Sequence, residues 1–327
     1  MLKISSPIVP ALGPNRIMTL MKKTRLDHLI GREVGTATIL RELARGGAAV
    51  VFVAYQRTLK RQIAVKILPK SFLSPHTSER FQQEAEAAAI LSHPNIIQIY
   101  EVGETDDFLF LTMQFIQGRP LSEYLKTTRR HVLPSRRILP VTATIDIISK
   151  VLDGLDYAHL NGTVHRDIKP ANILIEKHTN RPIILDFGIA KVSGGDQHGS
   201  TTIQGTPVYM PPEQILNQQV DGRADIYATG VMLFEMLVSD LPLPPWNTPL
   251  EFFKMKLNLG DHLFQKRPSE INTLINQDMD MIVSKATSFN RADRFKTCRE
   301  FKGCLEDYRN SYLKNPIKND RSQGYFK

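Results

Sequence analysis

The chain has 327 residues, of which 42% are hydrophobic and 23% charged, and this ordinary globular composition excludes disorder over most of its length. A chain of this length is longer than a domain with a single hydrophobic core usually is, so it predicts one large two-lobed domain or two modest domains. The net charge is +9, and most of it lies at residues 1–30 and 309–327, which each hold five Lys or Arg residues against one Asp.

The basic ends predict a flexible N-terminal extension at residues 1–37 and a C-terminal tail at residues 310–327. Such tails can contact nucleic acid or an anionic membrane, but a solvated tail has the same composition, and no nucleic-acid-binding motif accompanies them. No apolar run approaches the roughly 20 residues of a transmembrane segment. Cys298 and Cys304 lack metal-ligand spacing, so we expect free thiols in a cytoplasmic protein.

Strand-like patterns dominate the front of the chain and helical patterns its back. Strand-like runs fill residues 38–65 around a Gly-Gly turn, a helical pattern covers residues 78–91, and the strand-like runs IIQIYEVGE and FLFLTMQFI follow. After Gly118 the helical patterns cover residues 138–159, 224–238, 279–287 and 297–308.

This change predicts an α+β, bilobal fold. A small antiparallel β-rich N-lobe is expected at residues 38–113, a hinge at residues 114–118 and a larger helical C-lobe at residues 119–309. Because ligands favour the cleft between two lobes, we expect the functional site there.

Residues 164–174, VHRDIKPANIL, carry an acid, a lysine and an asparagine at the spacing that phosphoryl transfer needs. Asp167 can accept or orient a hydroxyl proton, Lys169 can neutralise the phosphoryl group, and Asn172 can offer an amide oxygen to Mg²⁺. A polar turn before a strand would explain Pro170 but none of the other residues. Phosphoryl-transfer chemistry is therefore the favoured interpretation.

A second acid follows the strand-like run at residues 183–185, as Asp186 of an Asp-Phe-Gly tripeptide. A carboxylate there can chelate the Mg²⁺ that bridges nucleotide phosphates, and the glycine gives the following loop conformational freedom. The tripeptide alone would be an ordinary turn, but its place downstream of Asn172 favours a metal site.

Lys66 lies in the alternating strand-like run at residues 63–68. A lysine between aliphatic residues usually marks a strand edge, whereas one that faces a cleft would hold the α- and β-phosphates of a nucleotide. Such a lysine needs an anionic partner, and Glu84 is the best candidate because it lies within the apolar stripe of its predicted helix.

In order and spacing these motifs resemble those of eukaryotic-like protein serine/threonine kinases of the bacterial type, over residues 38–309. The resemblance implies ATP as the phosphoryl donor, proteins as acceptors, Mg²⁺ or Mn²⁺ as the metal and Asp167 as the catalytic base. It implies that Asn172 and Asp186 bind the metal. The other catalytic residues that it implies are Lys66, Glu84 and Lys169. The ATP-binding residues that it implies are Leu43, Gly46, Gly47, Val51, Ala64, Lys66, Met113, Gln114, Ile116, Leu174 and Asp186.

The resemblance extends to the segment that binds the acceptor. Gly-Thr-Pro at residues 205–207 and Pro-Pro-Glu at residues 211–213 resemble the end of the family's activation segment, although the family usually has alanine in place of the first proline of Pro-Pro-Glu. The match implies a buried ion pair between Glu213 and Arg294, and it implies that Asp225 holds the catalytic loop.

Regulation and acceptor class follow from a few residues near these motifs. Arg166 precedes the catalytic acid and is placed to pair with a phosphate on the activation segment, so we expect autophosphorylation at Thr201 or Thr202. Lys169 and Thr206 are typical of serine/threonine kinases, and tyrosine kinases carry other residues at both positions. The implied acceptors are therefore Ser and Thr hydroxyls.

Two other classes of function remain open. A pseudokinase or weakly ATP-binding signalling scaffold is favoured only by the glycine loop, where Ala44 and Ala49 replace the family's first and third glycines and leave Gly46 and Gly47. A small-molecule phosphotransferase of related fold would share the catalytic acids but should lack the acceptor-binding segment, which this chain has.

The combined change Ala44→Gly and Ala49→Gly should lower the KM for ATP several-fold. Glycine lets the backbone approach a phosphate closely, whereas two added methyl groups stiffen the loop. Steady-state kinetics with varied ATP concentration test this expectation, and an unchanged KM would remove it.

Overall fold

The structure is a computed structural model that describes residues 26–46, 49–73, 75–133, 137–187 and 207–314. The described residues form two compact units, the first with residues 26–82 and 100–115 and the second with residues 83–99, 116–187 and 207–314. One boundary, between Phe115 and Ile116, falls within the predicted hinge. Residues 83–99 group with the second unit, although the sequence assigned them to the N-lobe.

A six-stranded sheet organises the first unit. Its strands are β1 Glu33–Val34, β2 Ala37–Gly46, β3 Ala49–Gln56, β4 Arg61–Pro69, β5 Ile99–Glu104 and β6 Phe108–Gln114. Their order is β1-β2-β3-β4-β6-β5, and the pairs from β1 to β4 and from β4 to β6 are antiparallel. Alternate residues such as Phe52, Ile63 and Val65 point into one hydrophobic core, which leaves the intervening residues on the other face.

Helices dominate the rest of the chain. They are α1 Pro75–Ala89, α2 Leu121–Arg129, α3 Val141–Leu160, α4 Pro212–Ile215, α5 Arg223–Leu237, α6 Pro249–Leu259, α7 Pro268–Ile271, α8 Gln277–Ala286 and α9 Cys298–Lys314. All residues of α5 from Ala224 to Leu237 are buried, so this helix is the centre of the second unit. Within the described residues, no helix has the length and apolar character required to span a membrane.

A small sheet in the second unit supports the catalytic segment. Its antiparallel strands are β7 Gly118–Pro120, β8 Ile173–Glu176 and β9 Pro182–Ile184. Helix α3 packs closely on β9 at Gly154, where an added Cβ would lie 2.9 Å from Cδ1 of Ile184. A larger residue at Gly154 would therefore force the side chain of Ile184, in the strand that leads to Asp186, to shift.

The predicted α+β fold class is confirmed, with differences in individual elements. Helices α2 and α6 and strand β7 were not expected. Within the extension that was predicted to be flexible, residues 33–34 form β1, and Leu26, Leu29 and Val34 belong to the core of the first unit. Helix α9 continues to Lys314, into the predicted tail. Strand β5 begins at Ile99, later than the apolar run suggested, because the N–H of Ile97 instead donates to the carbonyl of Ile184 at 2.9 Å. Helix α3 begins after Pro140, whose fixed φ suits the position before a helix. Cys298 and Cys304 are free, as expected.

Candidate active site

The turn before Asp167 is held by one buried carboxylate. The backbone N–H groups of His165 and Arg166 donate to the two carboxylate oxygens of Asp225 on α5, each at 2.8 Å. Arg166 has a φ of 65°, a left-handed conformation that costs a non-glycine residue about 1–2 kcal/mol. The carboxylate therefore stabilises a backbone conformation that the chain alone disfavours.

Asp225 remains a charged acceptor despite its burial. Only 1% of its surface is exposed, and Nε2 of His159 lies 2.8 Å from its Oδ2. Burial alone would raise the pKa of Asp225, but the hydrogen bond from His159 and the proximity of His159 and His165 bring that pKa below its ordinary value. The carboxylate is consequently ionised at neutral pH.

The side chains of the catalytic segment converge on Asp167. Nζ of Lys169 lies 2.7 Å from Oδ2 of Asp167. Nδ2 of Asn172 donates to the same Oδ2 at 2.9 Å and to the backbone carbonyl of Asp167 at 2.8 Å. Since the amide nitrogen is committed to Asp167, the amide oxygen of Asn172 is oriented away from it and is available to a cation.

The pairing of β8 with β9 brings the two predicted metal ligands to one end of a hairpin. Ile173 is paired with Ile184, and the N–H of Leu185 donates to the carbonyl of Asn172 at 2.8 Å. Asp186 follows directly, with a φ of 56°. The antiparallel register thus places residues from distant sequence positions side by side.

Buried His165 links this hairpin end to the catalytic turn. Its Nε2–H donates to the carbonyl of Leu185 at 2.7 Å, and its Nδ1 accepts from the N–H of Asp167 at 3.2 Å. The ring of Phe187 lies 4.7 Å from that of His165, centroid to centroid. One imidazole therefore contacts both the backbone of Asp167 and the two residues that flank Asp186.

In the first unit, sheet register gathers four of the predicted nucleotide-binding residues. Val51 is paired with Lys66, and Ala64 is paired with Met113. Directly opposed residues share a face, and Ala64 and Lys66 are two apart in one strand, so all four lie on the face away from the hydrophobic core. Lys66 is 8% exposed among these neighbours.

The remaining predicted residues are placed individually. Leu43 lies at a register irregularity of β2 and is exposed, Gln114 ends β6, Leu174 lies in β8 and Ile116 is buried. Glu84 lies in α1, and its pairing with Lys66 stays a prediction. The predicted residues outside the described ranges are Gly47, Thr201, Thr202 and Thr206.

Glu213 and Arg294 form a bidentate buried ion pair. The two carboxylate oxygens lie 2.7 Å and 2.9 Å from the two terminal guanidinium nitrogens. The other donors of Arg294 reach the backbone carbonyls of Ser288, Phe289 and Arg223 at 2.8–3.1 Å. All five N–H groups are satisfied, as burial of a charged side chain requires.

Residues 209–214 border Asp167, the predicted catalytic base. A small hollow beside Asp167 is lined in part by Tyr209, Met210 and Gln214, and Nε2 of Gln214 donates to the carbonyl of Arg166 at 3.2 Å. A hydroxyl bound to this segment would therefore lie near the side chain that can accept its proton.

Sequence reasoning missed a polar cluster beneath this segment. Tyr209 donates its hydroxyl to Glu235 on α5, and Arg129 on α2 contacts the same carboxylate. Burial and the neighbouring Glu235 raise the pKa of Tyr209. Glu235 interrupts an apolar helical run, MLFEML, and this was a signal that its carboxylate needs buried partners.

Comparison with known proteins identifies related chains. A sequence profile described as "Protein kinase domain" matches residues 37–303. Serine/threonine-protein kinase Pkn1 of Myxococcus xanthus is 33% identical over 288 residues, 86% of this chain and 39% of Pkn1. Tyrosine-protein kinase MasK of Myxococcus xanthus (strain DK1622) is 31% identical over 293 residues, 85% of this chain and 44% of MasK. The chain thus spans less than half the length of each of these relatives.

A solved structure also aligns with most of the chain. The kinase domain of Mycobacterium tuberculosis PknI superposes with a TM-score of 0.67 at 26% sequence identity. The alignment covers 85% of this chain and 98% of the PknI chain.

The change Asp225→Asn should lower the free energy of unfolding at pH 7 by about 3 kcal/mol, because an amide cannot accept from both backbone N–H groups. The pKa of Asp225 is lowered in the folded state, so its contribution is present above the ordinary carboxyl pKa of about 3.9 and is lost as the pH falls below it. The difference between wild type and variant should therefore shrink toward pH 3.

Urea denaturation between pH 7 and pH 3 measures this difference. The matched control is Asp221→Asn, because Asp221 pairs with Arg223 at the surface and its side chain is 41% exposed. The control should cost less than about 1 kcal/mol. Equal losses in the two variants would contradict the structural role of Asp225.

Proposed function

Because the chain belongs to the protein kinase family, we propose that it transfers the γ-phosphate of ATP to Ser or Thr hydroxyls of proteins. The observation that carries this proposal is the convergence of Lys169 and Asn172 on Asp167, next to the hairpin end that bears Asp186. A scaffold without activity would not need this arrangement of charges.

Asp167 and Lys169 each have one role in the transfer step. Asp167 orients the acceptor hydroxyl and takes its proton as the oxygen attacks the γ-phosphorus. The bond from that phosphorus to the β,γ-bridging oxygen breaks, and ADP leaves with the electron pair. Lys169, already 2.7 Å from the carboxylate, lies where its charge can stabilise the transferring group.

The donor set at Asn172 and Asp186 fits a hard divalent cation, for which we propose Mg²⁺, with Mn²⁺ as a substitute. One carboxylate and one amide oxygen are ligand types that Mg²⁺ prefers. The described residues contain no cluster of three or more His, Cys, Asp and Glu side chains that could hold a metal ion. Mg²⁺ usually keeps several waters and is bound by one or two carboxylates plus substrate phosphates, so the two side chains would share the ion with nucleotide phosphates and water, and its charge would offset that of the phosphates.

Lys169 and Thr206 favour a Ser or Thr acceptor. The names of the relatives differ on this point, since Pkn1 is named a serine/threonine-protein kinase and MasK a tyrosine-protein kinase. Phosphoamino acid analysis of the labelled product separates the two classes. A cytoplasmic location stays a prediction that rests on the sequence.

The change Asp167→Asn should reduce the rate of phosphate transfer from ATP to casein, a protein rich in Ser hydroxyls, by about a thousandfold. The amide keeps the shape of the side chain but cannot take the proton. Transfer of radioactive γ-phosphate at saturating ATP measures the rate, and Asp106→Asn, an exposed site in the first unit, is the matched control. Equal labelling by Asp167→Asn and wild type would favour the scaffold alternative.

Autophosphorylation is the second expected activity. Incubation with Mg-ATP should add phosphate to Thr201 or Thr202, because the exposed Arg166 beside the catalytic acid can pair with a phosphate on this segment. Intact mass and peptide mapping detect the modification, and the double change Thr201→Ala and Thr202→Ala should abolish it there. Phosphate found only within the N-terminal extension, residues 1–37, would count against this assignment.

A further inference from the structure

Lys256 is the most deeply buried lysine in the described part of the chain, and the chemistry of phosphate transfer does not use it. Its side chain comes from α6 and is 1% exposed. Lysine is almost never fully buried unless its amine is paired, so this position requires an explanation.

The amine of Lys256 is bound by backbone oxygens of the acceptor-binding segment. Nζ donates to the carbonyl of Val208 at 2.9 Å and to that of Met210 at 2.6 Å. The ring of Tyr227 lies 4.6 Å from Nζ, centroid to nitrogen, and presents its π-face to the amine. Phe252, on the same helix as the lysine, belongs to the hydrophobic cluster that encloses this site.

Both hydrogen bonds can form whether the amine of Lys256 is protonated or neutral. Burial lowers the pKa of Lys256 well below its ordinary value, the positive charge of Arg294 lowers it further, and Glu213 opposes both effects. An ammonium group has three donors and a neutral amine has two, so either form can satisfy both carbonyls.

These contacts lie beside the catalytic acid. Met210, whose carbonyl Lys256 binds, lines the hollow next to Asp167. Three residues further along, Glu213 is held by Arg294, and Cζ of Arg294 lies 4.8 Å from the same Tyr227 ring, centroid to carbon. The segment from residue 208 to residue 213 is therefore fixed at both ends by buried basic side chains.

We propose that Lys256 is a positioning residue for the protein acceptor, which it serves by fixing the backbone of Val208 and Met210 beside Asp167. The inference rests on the proposed function and names the side chain that shapes its acceptor site. The amine does not reach the reacting atoms. It sets the path of the segment on which the acceptor chain lies.

A role in acceptor positioning differs measurably from a role in stability alone. Loss of the amine leaves two carbonyls without this donor and lets residues 208–210 shift, whereas Asp167, Asn172 and Asp186 are held by other contacts. Acceptor binding should then weaken while nucleotide handling persists. A purely structural lysine would affect both activities together.

The test compares Lys256→Met with wild type in two reactions, phosphate transfer to casein and ATP hydrolysis with water as the acceptor. Methionine keeps the length of the side chain and removes the donor. We expect the KM for casein to rise about tenfold, which corresponds to the loss of roughly one hydrogen bond, while the KM for ATP and the hydrolysis rate stay within twofold. Lys254→Met, at an exposed position of the same helix, should change neither reaction.

A second variant separates a shifted segment from a general loss of structure. Lys256→Gln keeps one amide donor and should give a smaller rise in the KM for casein than Lys256→Met. An unchanged KM for casein, or a parallel loss of ATP binding and acceptor binding in both variants, would overturn the proposal. Wild type that hydrolyses ATP but never labels casein would instead refute the proposed function.

Discussion

The carboxylate of Asp225 is the constraint on which the rest of the site depends. It lies in the buried helix α5 and accepts from two successive N–H groups of the turn before Asp167, so a helix at the centre of the second unit sets the backbone path of that turn. The strained φ at Arg166 persists because this carboxylate stabilises it. His165 then transmits the fixed position to the end of β9 through the carbonyl of Leu185.

Much of the site was visible in the sequence because its chemistry is local. Asp167, Lys169 and Asn172 contact one another within a single turn, so their spacing already encodes their geometry. The change along the chain from alternating to helical patterns was likewise enough to predict the α+β fold class. The ion pair between Glu213 and Arg294 joins residues 81 positions apart, and only the resemblance to a known family suggested it.

The rest depends on tertiary contacts that a pattern cannot reveal. Lys256 follows the buried Phe252 and Phe253 by one helical turn, so it lies on the apolar side of α6. Its hydrogen-bond partners, the carbonyls of Val208 and Met210, are 48 and 46 positions away in the chain, and no local pattern links them to it. That helix was itself overlooked, although Thr248 caps it by accepting from the N–H of Glu251 and a proline follows as its first residue. Helix α2 was missed because it is short and only two of its three buried residues, Leu121 and Leu125, are apolar, although their spacing is helical.

The ring of Tyr227 has a consequence that reaches beyond any single contact. Nζ of Lys256 and the guanidinium of Arg294 both lie over this ring, so one aromatic side chain contacts the two basic residues that hold opposite ends of the same segment. Substitutions at residues that share a partner do not act independently. We therefore expect the residues at these three positions to covary among related chains. Where the aromatic residue differs, one or both of the basic residues should differ as well.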